Sequence, residues 1–226
     1  MNRNFATQFT QVIPFENCIP YLYRYEDEHW IEDFFNNGNL FISSFKNYKK
    51  YDDNQLGDKH EGGSINIVNG NNGKQVTTYT NVGFNEYSFC TSTVLDDDLK
   101  KTFSRDSVFR IKDPLNFMIE IANSIPRIQS VIFGNCLYLN NRIISNSIPS
   151  ALSIEDLKDD EDPNKVSFEK MLNAASPSLT RHRFFLKHTD YQHQSEYRML
   201  WSVDRDVDQG IVLHCPEARQ FCERIK

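Results

Sequence analysis

The chain has 226 residues, 39% of them hydrophobic and 25% charged, and a formal net charge of −6. That length and mix suit one globular domain with a sizeable core, and no run approaches the ~20 apolar residues a membrane helix needs. A negative surface repels nucleic acid as a whole, so such binding needs a local basic patch.

The first residues, MNRNFATQFTQ, lack the apolar core of a secretory signal. Residues 19–26 (IPYLYRYE) read as a strand leading into a helix over 27–37, with acids in its first turn, Trp30, Ile31 and Phe34 on one side, and Gly38 as its stop. A second strand covers 40–43 (LFIS), followed by a polar loop from Lys46 to Gly63. Strands at 65–68 and 75–79 flank the turn-forming Asn69-Gly70-Asn71-Asn72-Gly73 and predict a hairpin. Residues 86–94 (EYSFCTSTV) form the next strand and close on a helix start at 96–98. After a short strand at 107–111, Asp113-Pro114 opens a helix to Ile125 with an apolar stripe of Phe117, Ile121 and Ile125. Residues 130–139 are again strand-like. Residues 146–176 read as a polar surface insertion carrying one helix near 165–175. Strands at 184–188, 197–203 and 210–214 follow, and a helix starting on Pro216 closes the chain.

Short strands with a few helices and no regular βαβ alternation predict an α+β fold with a largely antiparallel sheet, in one domain spanning 1–226. Five scattered cysteines, Cys18, Cys90, Cys136, Cys215 and Cys222, fit free thiols in a reducing cytoplasm. Gly-rich phosphate loops, C-x-x-C, H-E-x-x-H and G-x-S-x-G are all missing from the sequence, which argues against Rossmann and P-loop nucleotide binding, a metal site and a nucleophile-elbow hydrolase. His188 and His193 alone do not make a zinc site.

Within 184–201 (FFLKHTDYQHQSEYRMLW), Tyr197, Met199 and Trp201 alternate with Glu196, Arg198 and Leu200, so Glu196 and Arg198 share one face of a strand. The plain alternative for this pair is an ion pair on a solvated face. Two earlier strands supply polar partners: Arg24 in YLYRY and Thr91-Ser92-Thr93 in FCTSTV. An early-strand Arg, a middle-strand Ser/Thr run and a late-strand Glu resemble the R-S-E pattern of the ADP-ribosyltransferase superfamily. The order LYRY, helix, NGNLFIS, D-x-x-E-G (Asp58 to Gly62) and late EYR also resembles a widespread group of bacterial domains. Two departures stand out: Thr91-Ser92-Thr93 is not a plain S-T-S, and Gln194 stands where a second Glu is common.

The resemblance implies a split, mostly antiparallel sheet with flanking helices and a cytoplasmic mono-ADP-ribosyltransferase that uses NAD as co-substrate, without a metal. Glu196 would then stabilise the oxocarbenium-like state formed as nicotinamide leaves. Arg24 would hold the pyrophosphate or adenosine ribose. Ser92 would brace the nicotinamide end or Glu196, with Ser43 and Ser44 as competitors for that place. Tyr23 and Tyr25, alternating with Arg24, point away from it into the core. Asp58 and Glu61 could position the acceptor, and Arg198 would support Glu196. A toxin or phage-defence role with a cognate antitoxin is implied by resemblance alone. For the acceptor, Lys46 and Tyr48 in the aromatic–basic stretch 46–51, with Arg181 to Lys187, favour nucleic acid, RNA above all. Two rival readings are a ribonuclease toxin using Arg183 and His188 at R-x4-H spacing, and a non-enzymatic partner-binding module.

Overall fold

The computed structural model describes residues 8–11, 21–50, 58–69, 73, 75–147, 153–167, 170 and 183–225. The chain divides into two compact units. One takes Met1–Glu61, Gly83–Cys136 and Asp190–Lys226, and the other takes Gly62–Val82 and Leu137–Thr189. In chain order the elements begin with β1 (Gln8–Gln11), β2 (Leu22–Glu26), α1 (Glu28–Asn37), β3 (Asn39–Ser44), β4 (Gly63–Asn69), β5 (Gln75–Asn81) and β6 (Glu86–Ser92). Then come α2 (Asp97–Thr102), β7 (Ser107–Ile111), α3 (Pro114–Ser124), β8 (Ile128–Asn135), β9 (Leu137–Leu139) and β10 (Ile143–Ser147). The last are β11 (Leu186–His188), β12 (Glu196–Val203), β13 (Ile211–His214) and β14 (Cys222–Arg224).

The first unit is built on a nine-stranded sheet ordered β1-β8-β12-β6-β2-β7-β14, with β3 also pairing β6 and β13 pairing β3. Apart from the parallel β1–β8 pair, its strands run antiparallel. The α+β fold with a mostly antiparallel sheet expected from the sequence is the fold observed. Period-2 alternation sets which side chains go inward. Tyr197, Met199 and Trp201 of β12 stand in register beside Thr91, Phe89 and Tyr87 of β6. These rings join Phe117, Met118 and Ile121 of α3 and Ile31 and Phe34 of α1 in the main core. The opposite face of the same two strands carries Ser88, Cys90, Ser92, Glu196 and Arg198.

The helix ends follow local chemistry. Asp113 caps α3, its carboxylate accepting from the Asn116 amide at 3.2 Å, with Pro114 at the first helical position. Gly38 ends α1 in the left-handed region at φ 78°. The C-terminus departs from expectation. Instead of a helix through Ile225, Pro216–Phe221 makes a 3₁₀ turn and β14 follows, with Cys222 paired to Ile111 and Glu223 to Arg110. The polar loop after β3 likewise opens as a 3₁₀ turn, Phe45–Lys49, capped by the Ser44 hydroxyl. Its residues 51–57 lie outside the described residues.

The second unit contains the predicted hairpin, β4 against β5, extended by the parallel strand β10, and a separate parallel pair, β9 and β11. β10 was not foreseen, and most of the helix expected near 165–175 lies outside the described residues. Among the described residues no helix is long and apolar enough to cross a membrane.

Candidate functional site

Strand β6 is the axis of the site. On one edge it pairs with β12, which sets Glu196 opposite Ser92 and Arg198 opposite Cys90. On its other edge β3 pairs at Ser43↔Ser88 and Ser44↔Tyr87, while β2 pairs only at Tyr23↔Ser92. The two neighbours thus part from each other along β6, and the opening lies beside Cys90. Arg24 fills this opening. Its Nη1 donates to the Cys90 carbonyl at 2.8 Å, its Nη2 meets Glu26 at 2.5 Å, and its guanidinium lies 4.7 Å from the centre of the Phe89 ring. Burial opposes the Arg24 charge, but Glu26, Tyr48 and Cys90 outweigh it and its pKa is raised. The Arg24 Nε is buried and has no hydrogen-bond partner among the described residues. A narrow cleft here is lined by Arg24, Glu26, Trp30, Phe41, Phe89 and Phe109.

Glu196 sits at the start of β12, after Ser195, a non-glycine residue held at φ 44°. Strain of this kind is tolerated where surrounding bonds fix the backbone. Those bonds come from the Ser/Thr run. The Ser92 hydroxyl donates to the Gln194 carbonyl at 2.8 Å, the Thr93 amide to the Ser195 carbonyl at 3.0 Å, and the Thr91 hydroxyl to the Tyr197 carbonyl at 2.9 Å. The run therefore fastens the backbone on both sides of Glu196.

Behind the carboxylate lies Arg198, 1% exposed, between two acids. Its Nε and Nη2 reach Glu196 Oε1 at 2.7 and 2.6 Å, and its Nη1 reaches Glu61 Oε1 at 2.8 Å. Burial works against the Arg198 charge, and Cys136, Glu196, Glu61 and Cys90 more than offset it, so its pKa is raised well above the ordinary value. Tyr48 completes the group. Burial drives its phenol well above the usual pKa, helped by Cys90, to which it is hydrogen-bonded, and Arg24 and Glu196 both lie within its electrostatic reach.

The structure sorts the sequence-derived candidates. Ser92 stands directly across from Glu196, whereas Ser43 and Ser44 pair four and five residues further along β6, roughly 13 Å or more away. The Ser44 oxygen is engaged with the Asn47 amide as a cap. Arg24 does not share the row of Ser92 and Glu196, since Tyr23 is the residue in register with Ser92. Arg24 joins the group through the Cys90 carbonyl and Tyr48. Tyr25 is indeed inward, in a small apolar cluster with Leu99 and Val108 that Tyr23 flanks.

Asp58 and Glu61 are both buried. Asp58 closes a turn by accepting from the His60 amide, its own amide donates to the Tyr48 carbonyl, and Glu61 is committed to Arg198. Lys46 is engaged with Asp208 at 2.6 Å in an exposed ion pair, and Tyr48 packs against Phe45. Of the second basic stretch, Arg181 and His182 lie outside the described residues, while Arg183 and Lys187 are buried. Arg183 stands in a 3₁₀ turn and His188 at the end of β11, both in the second unit and not on a helix. Among the described residues no three His, Cys, Asp or Glu side chains gather as metal ligands. Tyr48 as a neighbour of Glu196, and Cys90 and Cys136 beside Arg198, were not foreseen, because sequence spacing carries no signal for contacts this remote.

Comparison with protein-family models, with curated proteins and with solved structures gave no match.

Proposed function

We propose that this protein is an NAD-dependent mono-ADP-ribosyltransferase in which Glu196 is the catalytic carboxylate. One observation carries the reading: β2, β6 and β12 are adjacent, Ser92 of β6 and Glu196 of β12 face each other directly, and Arg24 of β2 reaches the β6 backbone two residues away at Cys90. A split sheet bearing these residue types in this order is what the resemblance to the superfamily implies. The Arg24 Nε, buried and lacking a partner among the described residues, adds a donor suited to an anionic group such as a pyrophosphate.

In the reaction, the bond between the ribose C1′ and the nicotinamide nitrogen breaks, and nicotinamide leaves with the electron pair. Positive charge develops on the ribose, and Glu196 accepts a ribose hydroxyl and faces that charge. The acceptor then forms the new bond to C1′ and releases its proton. Ser92 acts by holding the backbone ahead of Glu196, and Arg198 by holding its carboxylate. For the acceptor, the aromatic–basic stretch 46–51, with Lys46 in an exposed ion pair, supports nucleic acid, RNA above all.

The test incubates wild type and Glu196→Gln with labelled NAD and separate fractions of RNA, DNA and protein. Wild type is expected to label one fraction, and the variant to lose about 10²–10³ in rate while keeping its circular dichroism spectrum. Equal NAD consumption by both proteins, or none by either, overturns the reading.

A further inference from the structure

We propose that Glu61 is a positioning residue for Glu196, acting through Arg198; this rests on the reading of Glu196 as the catalytic carboxylate. A guanidinium meeting a lone carboxylate favours the fork arrangement, with two nitrogens on two separate oxygens. The contacts here differ. Both Nε and Nη2 of Arg198 converge on the single oxygen Oε1 of Glu196, at 2.7 and 2.6 Å. The other edge of the guanidinium is taken by Glu61, with Nη1 on Oε1 at 2.8 Å and Nη2 on Oε2 at 3.4 Å. Phe45 lies against the same group, 5.3 Å from ring centre to guanidinium carbon. Glu61 therefore keeps Arg198 from turning to engage both oxygens of Glu196.

Glu61 is itself fixed. Its amide donates to the Asp58 carbonyl, and the Asp58 amide donates to the carbonyl of Tyr48, whose phenol faces Arg24, Cys90 and Glu196. The turn at 58–61 is thus tied to the site at two points, through Tyr48 and through Arg198. Glu61, 2% exposed and held by Arg198, orients a carboxylate and does not meet substrate.

The experiment compares wild type, Glu61→Gln and Glu61→Asp in NAD consumption, thermal unfolding and crystal structure. The expected result for Glu61→Gln is a fall in kcat of about ten- to a hundred-fold per folded molecule, as for small misplacements of reacting groups. Its KM for NAD should stay within about twofold, because Glu61 itself does not meet substrate and a misplaced Glu196 acts mainly on the charge that develops in the transition state. In its crystal structure, Nε and Nη2 of Arg198 should lie on separate Glu196 oxygens. Glu61→Asp keeps the charge and should fall between the two; it replaces Glu61→Gln should that variant fail to fold. An unchanged kcat, or unchanged Arg198–Glu196 contacts, overturns the positioning role. Should wild type consume no NAD, the transferase reading fails on its own, and the crystal structures alone decide whether Glu61 orients Glu196.

Discussion

Glu86 shows what the interior does to a carboxylate that meets no cation among the described residues. It is 6% exposed at the start of β6, where it accepts from the Asn85 amide at 3.2 Å and the Ser202 hydroxyl at 3.4 Å. Burial lifts its pKa from 4.5 to about 7, against the lowering effect of those two donors. The folded state therefore holds this proton more tightly than the unfolded chain, and stability is lost as pH rises between those two values. The gap amounts to about 3 kcal/mol at most. Glu86→Gln should match wild type near pH 4 and exceed it by up to about 3 kcal/mol at pH 8, measured by urea unfolding at both pH values. A constant difference across pH would mean that burial leaves the Glu86 carboxyl with the same proton affinity in the folded and unfolded chain. Arg198 illustrates the contrary case, a buried charge kept by two opposite ones. Its place beside Glu196 was legible from two-residue alternation. Its bond to Glu61 was not, because the partners are 137 residues apart and only the folded sheet brings them together.

At the scale of elements, local signals worked where the chain decides its own conformation and failed where a distant strand does. Gly38 was read as the stop of α1, and it occupies the left-handed region there. The sequence did not show that a Cβ at Gly38 would meet the Pro216 Cα at 2.7 Å, whereas at Gly73, also at positive φ, it would meet nothing within 4 Å. Gly73→Ala should then cost only the backbone term of about 1 kcal/mol, and Gly38→Ala at least ~1 kcal/mol more, by urea unfolding of both variants. Equal losses would show that the Pro216 backbone yields freely. The opposite lesson comes from residues 216–225. Their composition favours a helix, but pairing of β14 with β7 takes Cys222–Arg224 into the sheet. β10 was missed for the same reason: its five residues pair in parallel with β4, far away in sequence. The D-x-x-E-G segment lies between: the motif was visible at 58–62, and its roles in closing a turn and holding Arg198 were not.

For the molecule as a whole, the order of strands along the sheet sets how the site is made. Ser92 and Glu196 face each other across more than a hundred residues of intervening chain, and β2 reaches β6 and β7 across more than sixty. Every strand that carries a candidate residue therefore depends on pairing that is non-local, and such pairing is slow to form. Trp201 reports on it directly. It is fully buried on β12, five residues beyond Glu196, and its indole donates to the Met118 carbonyl of α3 at 3.3 Å. With Trp30→Phe it becomes the sole tryptophan of the chain, which has two. Refolding from urea, followed by Trp201 fluorescence and by far-ultraviolet circular dichroism, should show one common phase in the range of about 0.1–10 s. A sheet signal that appears well before Trp201 is buried would mean that β12 docks last, onto strands already paired. Single-phase recovery would instead mean that β12 enters with the rest of the sheet, so that Ser92 comes to face Glu196 in the same step that buries the core.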